Sequence, residues 1–244
     1  MMSAAVNLAR DWARLGAMFN VAPAARTPDL ERLLLRTARL AGNNAPQWVM
    51  AITWLAAYGE LVARQRLARL AREELEAAHQ PALGLMLETV VQLAPRHECR
   101  FRAAIAACAP AAHPGPLLDI DRRNAALASL AEREATALSK HWGVWFGPVA
   151  LKSDALRPAE WVAAHNPALA LRALTGGDLV ASIMAEARTC RGVFKSEVEL
   201  ARRCGASRPA IREALQKLRL GGYAKQARRG RANEMHVKHP NAMT

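Results

Sequence analysis

The chain has 244 residues, of which 52% are hydrophobic, and its formal net charge is +13. This length allows one large domain or a medium-sized domain with a smaller one, and the apolar content is high enough for a buried core. Ala and Leu dominate that apolar content, which favours a mainly α-helical fold, and a Leu-rich chain of this length with four cysteines is not a small disulfide-stabilised scaffold.

The beginning of the chain is predicted to be helical. Residues 1–16 lack a basic region followed by an apolar run, so we expect no secretory signal. A first helix is predicted over residues 4–19. A second is expected to start with Thr27 as its cap and Pro28 in the first helical position, and to stop at Gly42.

The most apolar window of the chain lies in a long helical region predicted over residues 47–79 and interrupted near Gly59. Residues 48–63 are fewer than the roughly 20 that a membrane span requires, and they contain Glu60, so we expect a buried core helix there. Further helices are predicted over residues 81–94, from there to about residue 109, from Asp119 or Asp121 to about residue 141, and over residues 159–165.

The composition of the chain changes near residues 158–167, where prolines cluster. Residues 188–238 contain 14 Lys or Arg and 4 Asp or Glu, a net charge of +10, whereas the rest of the chain carries a net charge of +3. We therefore predict an all-helical domain over residues 1–160 and a second domain over residues 166–240. A basic block of this kind indicates a polyanionic partner, nucleic acid before membrane.

Within the basic block, residues 196–218 (SEVELARRCGASRPAIREALQKL) predict two short helices joined by a tight turn. Ser196 and Glu199 have the spacing of a capping box at the start of the first helix. Gly205 occupies the position that favours a positive φ, and Ser207 is placed to cap the second helix. The pattern therefore predicts a helix-turn-helix.

The second of these helices is predicted to have an inward and an outward face. At about 100° per residue, the inward stripe is apolar. The neighbouring stripe carries guanidinium and amide groups, which contact phosphates and bond guanine and adenine edges in the major groove of DNA. The apolar stripe consists of Ile211, Ala214, Leu215 and Leu218, and the polar stripe of Arg208, Arg212, Gln216 and Arg219, with Lys217 at its edge near Glu213.

Short strands are predicted on both sides of the two helices. Residues 192–195 precede the first helix, and residues 223–227 and 233–238 follow the second, the last with alternating apolar and polar side chains. A basic hairpin tip between the last two strands can follow a phosphate backbone or enter the minor groove. The arginines of this tip are Arg228, Arg229 and Arg231.

Residues 166–238 resemble the winged helix-turn-helix domain of bacterial transcription regulators. The segment SEVELARRCGASRPAIREALQKLRLGGY is similar to the helix-turn-helix of the GntR-like group, and NPALALRALTGGDLVASIMAEA is similar to the lead-in helices of ArsR- and MarR-like domains. The resemblance implies a cytoplasmic, usually dimeric protein whose second helix enters the major groove. GntR-type regulators usually carry this module at the N-terminus, whereas here it is C-terminal, and residues 1–160 resemble no family that we can name.

We therefore expect a sequence-specific regulator of transcription that binds double-stranded DNA as a homodimer, is not an enzyme and has no metal or cofactor. The recognition helix is predicted at about residues 207–220 and the basic wing at residues 228–231. The helical N-terminal domain would dimerise, bind a protein partner or sense a small-molecule effector. The residues expected at DNA are Ser207, Arg208, Arg212, Gln216, Lys217, Arg219, Arg228, Arg229 and Arg231.

Two other classes of function remain open from the sequence. The first is an antitoxin-like or defence-system interaction protein whose helical domain binds a protein partner, with DNA binding autoregulatory or absent. The second is a helical enzyme whose site is assembled from distant residues, although the sequence contains no G-x-S-x-G, H-E-x-x-H or Gly-rich phosphate loop.

Three groups of residues could form a zinc site, a redox switch and a ligand pocket. For each group, ordinary packing in the core is the stronger interpretation. The His and Cys spacing of the first group matches no common zinc site. The cysteines of the second are expected to be buried structural thiols, and the aromatics of the third to pack a loop onto the core. The groups are, in that order, His97, Cys99, Cys108 and His113; Cys190 and Cys204; and His141, Trp142, Trp145 and Phe146.

Overall fold

Helix predominates in the computed structural model, which describes residues 4–175, 178–229 and 232–238. Within these ranges two small sheets accompany the helices, so the expectation of a mainly α-helical fold is confirmed. The helices are α1 (Ala4–Arg14), α2 (Leu30–Arg39), α3 (Ala45–Tyr58), α4 (Arg64–Glu73), α5 (Gln80–Leu93), α6 (Glu98–Ile105), α7 (Asp119–Arg122), α8 (Ala125–Glu134), α9 (Ala137–His141), α10 (Ala159–His165), α11 (Pro167–Thr175), α12 (Asp178–Thr189), α13 (Glu197–Cys204) and α14 (Arg208–Leu220). The strands are β1 (Gly115–Pro116), β2 (Val144–Trp145), β3 (Val193–Phe194), β4 (Ala224–Arg229) and β5 (Ala232–Val237).

A first hydrophobic cluster, the N-terminal core, is built mainly by α1–α6. Buried tryptophans lie in this core, and their indole N–H groups find acceptors. Trp12 Nε1 donates to Thr37 Oγ1 (3.0 Å), and Trp54 Nε1 donates to the backbone oxygen of Leu15 (2.8 Å). These bonds satisfy polar groups that would be costly to bury alone, so large apolar surfaces can be buried here without an orphaned donor.

The most apolar stretch of the sequence forms α3, which is largely buried as predicted. The predicted interruption near Gly59 is confirmed, because α3 ends at Tyr58 and a 3-10 turn, Gly59–Leu61, leads towards α4. In the part of the chain that the structure describes, each helix is too short or too polar to cross a membrane.

Helices α1 and α2 are both shorter than predicted. α1 ends at Arg14, and the chain turns at Gly16, whose φ is +98°. α2 starts after Asp29, whose side chain accepts a hydrogen bond from the backbone N–H of Arg32 (3.2 Å). Asp29 is therefore the cap, and Pro28 precedes it instead of occupying the first helical position.

The single helix predicted to end near residue 141 is wrong, because the chain forms α7, α8 and α9 in this region. Asn124 caps α8 by accepting from the backbone N–H of Ala126 (2.8 Å). Thr136 caps α9 by accepting from the backbone N–H of Ser139 (3.1 Å). The backbone is extended at each of these caps, so the preceding helix ends there and a new one begins.

The N-terminal helical region is not free of strands. β1 and β2 form a two-stranded parallel sheet, in which Gly115 pairs with Val144 and Pro116 with Trp145. The expectation of an all-helical N-terminal domain is corrected at this point. Helices α7, α8 and α9 lie between the two strands and supply the long crossover that a parallel pair requires.

A second hydrophobic cluster, the C-terminal core, is built by α12, α13 and α14 together with β3–β5. The three strands are antiparallel in the order β3-β5-β4, with Phe194 opposite Met235 and Ala224 opposite Val237. The strands predicted around these residues are confirmed, and β4 continues further than expected, to Arg229. The sheet and the three helices therefore share one set of buried side chains.

Charged side chains connect the N-terminal core to α12. Arg66 on α4 is fully buried, and it donates to Asp29 (2.7 Å), to Glu31 (2.8 Å) and to Glu186 on α12 (3.1 Å). Arg172 on α11 donates to the second oxygen of Glu31 (2.8 Å). We call these five residues the buried charge network. It joins four helices and the cap of α2.

Two groups of the buried charge network have a pKa that is shifted towards the charged form. Burial alone would raise the pKa of Asp29, but the charge and hydrogen bonds of Arg66 outweigh it and hold that pKa below the usual range of an Asp. Burial likewise opposes the charge on Arg66, and its carboxylate neighbours prevail and raise its pKa. The network is thus a set of paired, hydrogen-bonded charges rather than isolated buried ones.

The predicted boundary at residues 158–167 falls inside packed structure. α10 follows the prediction closely, but Val162 and Leu169 belong to the N-terminal core. The helices that pack with the first core therefore continue beyond residue 160. The division into two independent domains stays a prediction.

Candidate nucleic-acid interface

The turn between α13 and α14 depends on Gly205. Its φ is +66° and its ψ is 35°, in the left-handed region that favours glycine, as predicted. The N–H of Gly205 bonds to the last carbonyls of α13, and the N–H of Ala206 reaches back to the oxygen of Ala201 (3.0 Å). This closed turn fixes the direction in which α14 leaves α13.

The capping box at the start of α13 is present in a shifted form. Ser196 Oγ accepts from the backbone N–H of Glu199 (3.1 Å), and Glu199 Oε2 accepts from the backbone N–H of Lys195 (2.9 Å). The second bond reaches one residue further back than the box predicts. That bond is the largest of the causes that hold the pKa of Glu199 below its usual value.

Ser207 caps α14, as predicted, by accepting from the backbone N–H of Ala210 at 3.4 Å. Pro209 lies in the first turn of the helix, where no intrahelical donor is required. The Ser207 side chain is thus engaged in the cap while the residue as a whole is exposed.

The two predicted faces of α14 are confirmed as an inward and an outward face. The apolar side chains pack with α12 and with fully buried Phe194 of β3, so one side of the helix is closed by the C-terminal core. The polar side chains point away from that core. Buried residues are Ile211, Ala214, Leu215 and Leu218, and exposed residues are Arg208, Arg212, Gln216, Lys217 and Arg219.

Lys217 and Arg212 each pair with a carboxylate. Lys217 lies 2.9 Å from Glu213, the i,i+4 pair that the sequence predicts. Arg212 Nη2 donates to Glu197 Oε2 on α13 at 3.0 Å, which was not predicted. Glu197 is thus a residue of this face that sequence reasoning missed, because the contact depends on how the two helices cross.

The predicted hairpin tip is partly corrected. Arg228 and Arg229 lie in β4, where their backbones are opposite Asn233 and Ala232 of β5. Both arginines are therefore strand residues and not part of the connection, because antiparallel pairing continues to the end of β4. Arg231 lies outside the described residues.

Packing explains part of the cysteine and histidine groups, but Cys99 is exposed. Burial raises the pKa of the Cys204 thiol to about 12, so the reactive thiolate is disfavoured there, and burial also raises the pKa of Cys190. His97 is buried, with its Nε2 3.1 Å from the backbone oxygen of Ala56. In the described residues no group of three or more His, Cys, Asp or Glu side chains is arranged to hold a metal ion.

The aromatic group packs onto the N-terminal core. Trp142 is buried and its indole donates to Glu88 (2.7 Å), while Phe146 meets Trp48 edge-on with ring centroids 5.0 Å apart. A cavity of about 170 Å³ lies beside Phe146. It is smaller than typical ligand pockets, which span about 300–1,000 Å³.

The chain matches none of the protein-family models, curated proteins or solved structures with which it was compared. The case for a nucleic-acid interface therefore rests on the residues themselves. A helix with one side closed by a core presents arginine, lysine and glutamine on its other side, next to an antiparallel hairpin whose sequence is rich in arginine.

Proposed function

We propose that the chain is a sequence-specific regulator of transcription that binds double-stranded DNA as a homodimer in the cytoplasm. In this proposal α12–α14 and β3–β5 form a winged helix-turn-helix. α14 enters the major groove, and the β4–β5 hairpin is the wing that contacts the phosphate backbone. The N-terminal helices carry the dimer contact, an effector site or a partner site.

The observation that carries the proposal is the outward face of α14. A solvated helix face needs only mixed charges, yet the exposed positions of α14 carry four cations and one carboxylate. Arg208, Arg212 and Gln216 lie within one 80° arc of an ideal helix. Guanidinium and amide groups in such an arc suit the edges of guanine and adenine.

The order of elements supports the same proposal. A helix, a short strand, two helices joined by a tight turn and a two-stranded hairpin follow each other from α12 to β5. The short strand adds to the hairpin and gives the order β3-β5-β4. The polar face of α14 is exposed next to this hairpin, and residues 188–238 carry the net charge of +10 that a polyanion would neutralise.

The proposal is tested with the full chain and short DNA duplexes. Selection from random duplexes at low salt yields a preferred sequence, and fluorescence anisotropy at two salt concentrations then measures affinity. Arg212→Ala is expected to weaken binding to the preferred duplex by about 1–3 kcal/mol with little change for unrelated DNA. Alanine at Arg228, Arg229 and Arg231 together is expected to weaken binding to all duplexes and to flatten the salt dependence.

Arg102→Ala is the matched control, because Arg102 is an exposed arginine of α6 paired with Glu98 and remote in sequence from α14. It removes the same charge and should leave both affinities nearly unchanged. A wild-type chain that binds no duplex at low salt contradicts the proposal.

A second candidate function is supported by α8. No side chain within Ala125–Glu134, which the structure describes in full, is buried. Leu127 is 37% exposed and Leu130 is 39% exposed, three residues apart on one side of the helix. Neighbouring apolar side chains exposed on one side of a helix can form part of an apolar patch, and such patches mark docking surfaces when they are large enough. This observation fits an antitoxin-like or defence-system protein whose helical part binds a protein.

The α8 candidate is tested by substituting serine for Leu127 and Leu130 together in the full chain. If α8 docks a protein, the variant loses the partner that co-purifies stoichiometrically with the wild type and keeps its affinity for DNA. Leu151→Ser is the control, since Leu151 is also 37% exposed but lies in a loop. A wild-type chain that retains no stoichiometric partner contradicts this candidate.

A further inference from the structure

The contact between Arg212 and Glu197 joins the two helices of the proposed helix-turn-helix. Arg212 Nη2 lies 3.0 Å from Glu197 Oε2. The Arg212 side chain is 64% exposed and the Glu197 side chain is 23% exposed. The Glu197 side chain is therefore mostly covered by the protein, while most of the Arg212 side chain faces the solvent.

This contact restricts the orientation of Arg212. A guanidinium has five N–H donors in one plane, so a bond at one edge leaves donors at the other edges available. An arginine whose plane is already fixed loses less rotamer freedom when it binds, and the pair of acceptors on guanine, O6 and N7, requires a fixed plane. The Glu197 contact therefore favours the fixed guanidinium plane that a bidentate contact with guanine would require.

The same carboxylate opposes contacts with phosphate. An arginine without a carboxylate partner can bond any phosphate, whatever the sequence. Glu197 competes with phosphate for Arg212 and is itself repelled by a negatively charged backbone. The edge of guanine carries no net charge, so Glu197 disfavours non-specific complexes more than complexes in which Arg212 reaches a base.

Glu213 is a second carboxylate on the exposed side of the two helices, but it pairs with a lysine and not with Arg212. It lies 2.9 Å from Lys217 on the same helix, and both side chains are more than half exposed. Lys has a compact ammonium group and makes no planar bidentate contact. Removing the charge of Glu213 therefore changes the electrostatics of the face without releasing Arg212.

We propose that Glu197 is a specificity-determining residue that positions Arg212 for guanine and disfavours binding through phosphates alone. The inference rests on the proposed function, because it requires α14 to lie in the major groove. Neither the cap at Ser196 nor the bonds of Glu199 involve the Glu197 carboxylate, so its substitution leaves both intact.

The test uses the full chain and three duplexes. The first is the sequence selected by the wild type. The second carries adenine in place of one guanine of the selected sequence. This guanine is identified by repeating the selection with Arg212→Ala and finding the position that loses its preference. The third is unrelated in sequence. Anisotropy titrations give the guanine-to-adenine discrimination and the affinity for unrelated DNA, and thermal melting confirms that each variant is folded.

Glu197→Gln is expected to bind unrelated DNA severalfold more tightly and to lose severalfold of the guanine-to-adenine discrimination, which is less than the loss in Arg212→Ala, where the whole bidentate pair is removed. Glu213→Gln should tighten binding to all three duplexes by the same factor and keep the discrimination. Glu197→Asp keeps the charge but shortens the side chain, so it should lose discrimination without tightening non-specific binding. In the Arg212→Ala background, Glu197→Gln should have no further effect on discrimination.

Wild-type discrimination in Glu197→Gln, or an equal loss in Glu213→Gln, would overturn the inference while leaving the proposed function intact. A wild-type chain that binds duplexes but enriches no sequence overturns the inference together with sequence-specific regulation. A wild-type chain that binds no duplex overturns DNA binding itself.

Discussion

Gly205 connects α13 to α14 with a positive φ of +66°. Among the described residues, no heavy atom lies within 4 Å of the position that a Cβ at Gly205 would occupy. Space around the residue is therefore not the reason for glycine, and the backbone conformation is. The left-handed region is unfavourable for residues with a Cβ because that atom approaches the following carbonyl oxygen.

Gly205→Ala is expected to lower the free energy of unfolding by about 1–2 kcal/mol, the cost of placing an L-residue in the left-handed region. Chemical denaturation measures this change. Gly115→Ala is the control, because Gly115 also has open space around its missing Cβ but no positive φ. Equal stability of the two variants contradicts a conformational role for Gly205.

The elements show which features a local pattern can predict. α10 occupies the predicted residues 159–165, and the faces of α14 follow from a helical spacing that needs no tertiary information. The prediction of a single helix ending near residue 141 was wrong, because the helical spacing of Ala and Leu continues in the sequence past Asn124 and Thr136. Single polar residues are weak signals in a sequence, whereas in the structure each caps a new helix.

Some features of the candidate interface could likewise be predicted from local sequence, and others could not. Arg208, Arg212 and Gln216 were predicted to share one exposed face because they lie on one helix, and the structure exposes all three. The partner of Arg212 was not predictable, because Glu197 lies 15 residues away on a helix whose crossing angle no local pattern specifies.

At the scale of the whole molecule, the buried charge network links distant parts of the chain. Arg66 and Glu186 are 120 residues apart in sequence, and each lies in a helix that also carries other charged residues. Charged residues on helices usually face water, so the sequence offered no reason to place these in the interior. Only the packing of α4 against α12 brings them together.

Arg66→Met is expected to lower the free energy of unfolding by about 3–5 kcal/mol, because it leaves three carboxylates without their central cation. Equilibrium denaturation measures the loss. Arg102→Met is the control, since Arg102 and Glu98 form an exposed pair and its removal should change stability little. A similar small effect of both variants contradicts a stabilising role for the network.

The buried charge network also determines how the chain can be dissected. A deletion at the predicted boundary removes Arg172 and Glu186, so Glu31 loses one of its two cations and Arg66 loses one of its three carboxylates. It also removes Leu169 from the N-terminal core. A shortened chain that fails to bind a partner or an effector would therefore report damaged packing. Point substitutions in the intact chain are the way to assign separate tasks to its two ends.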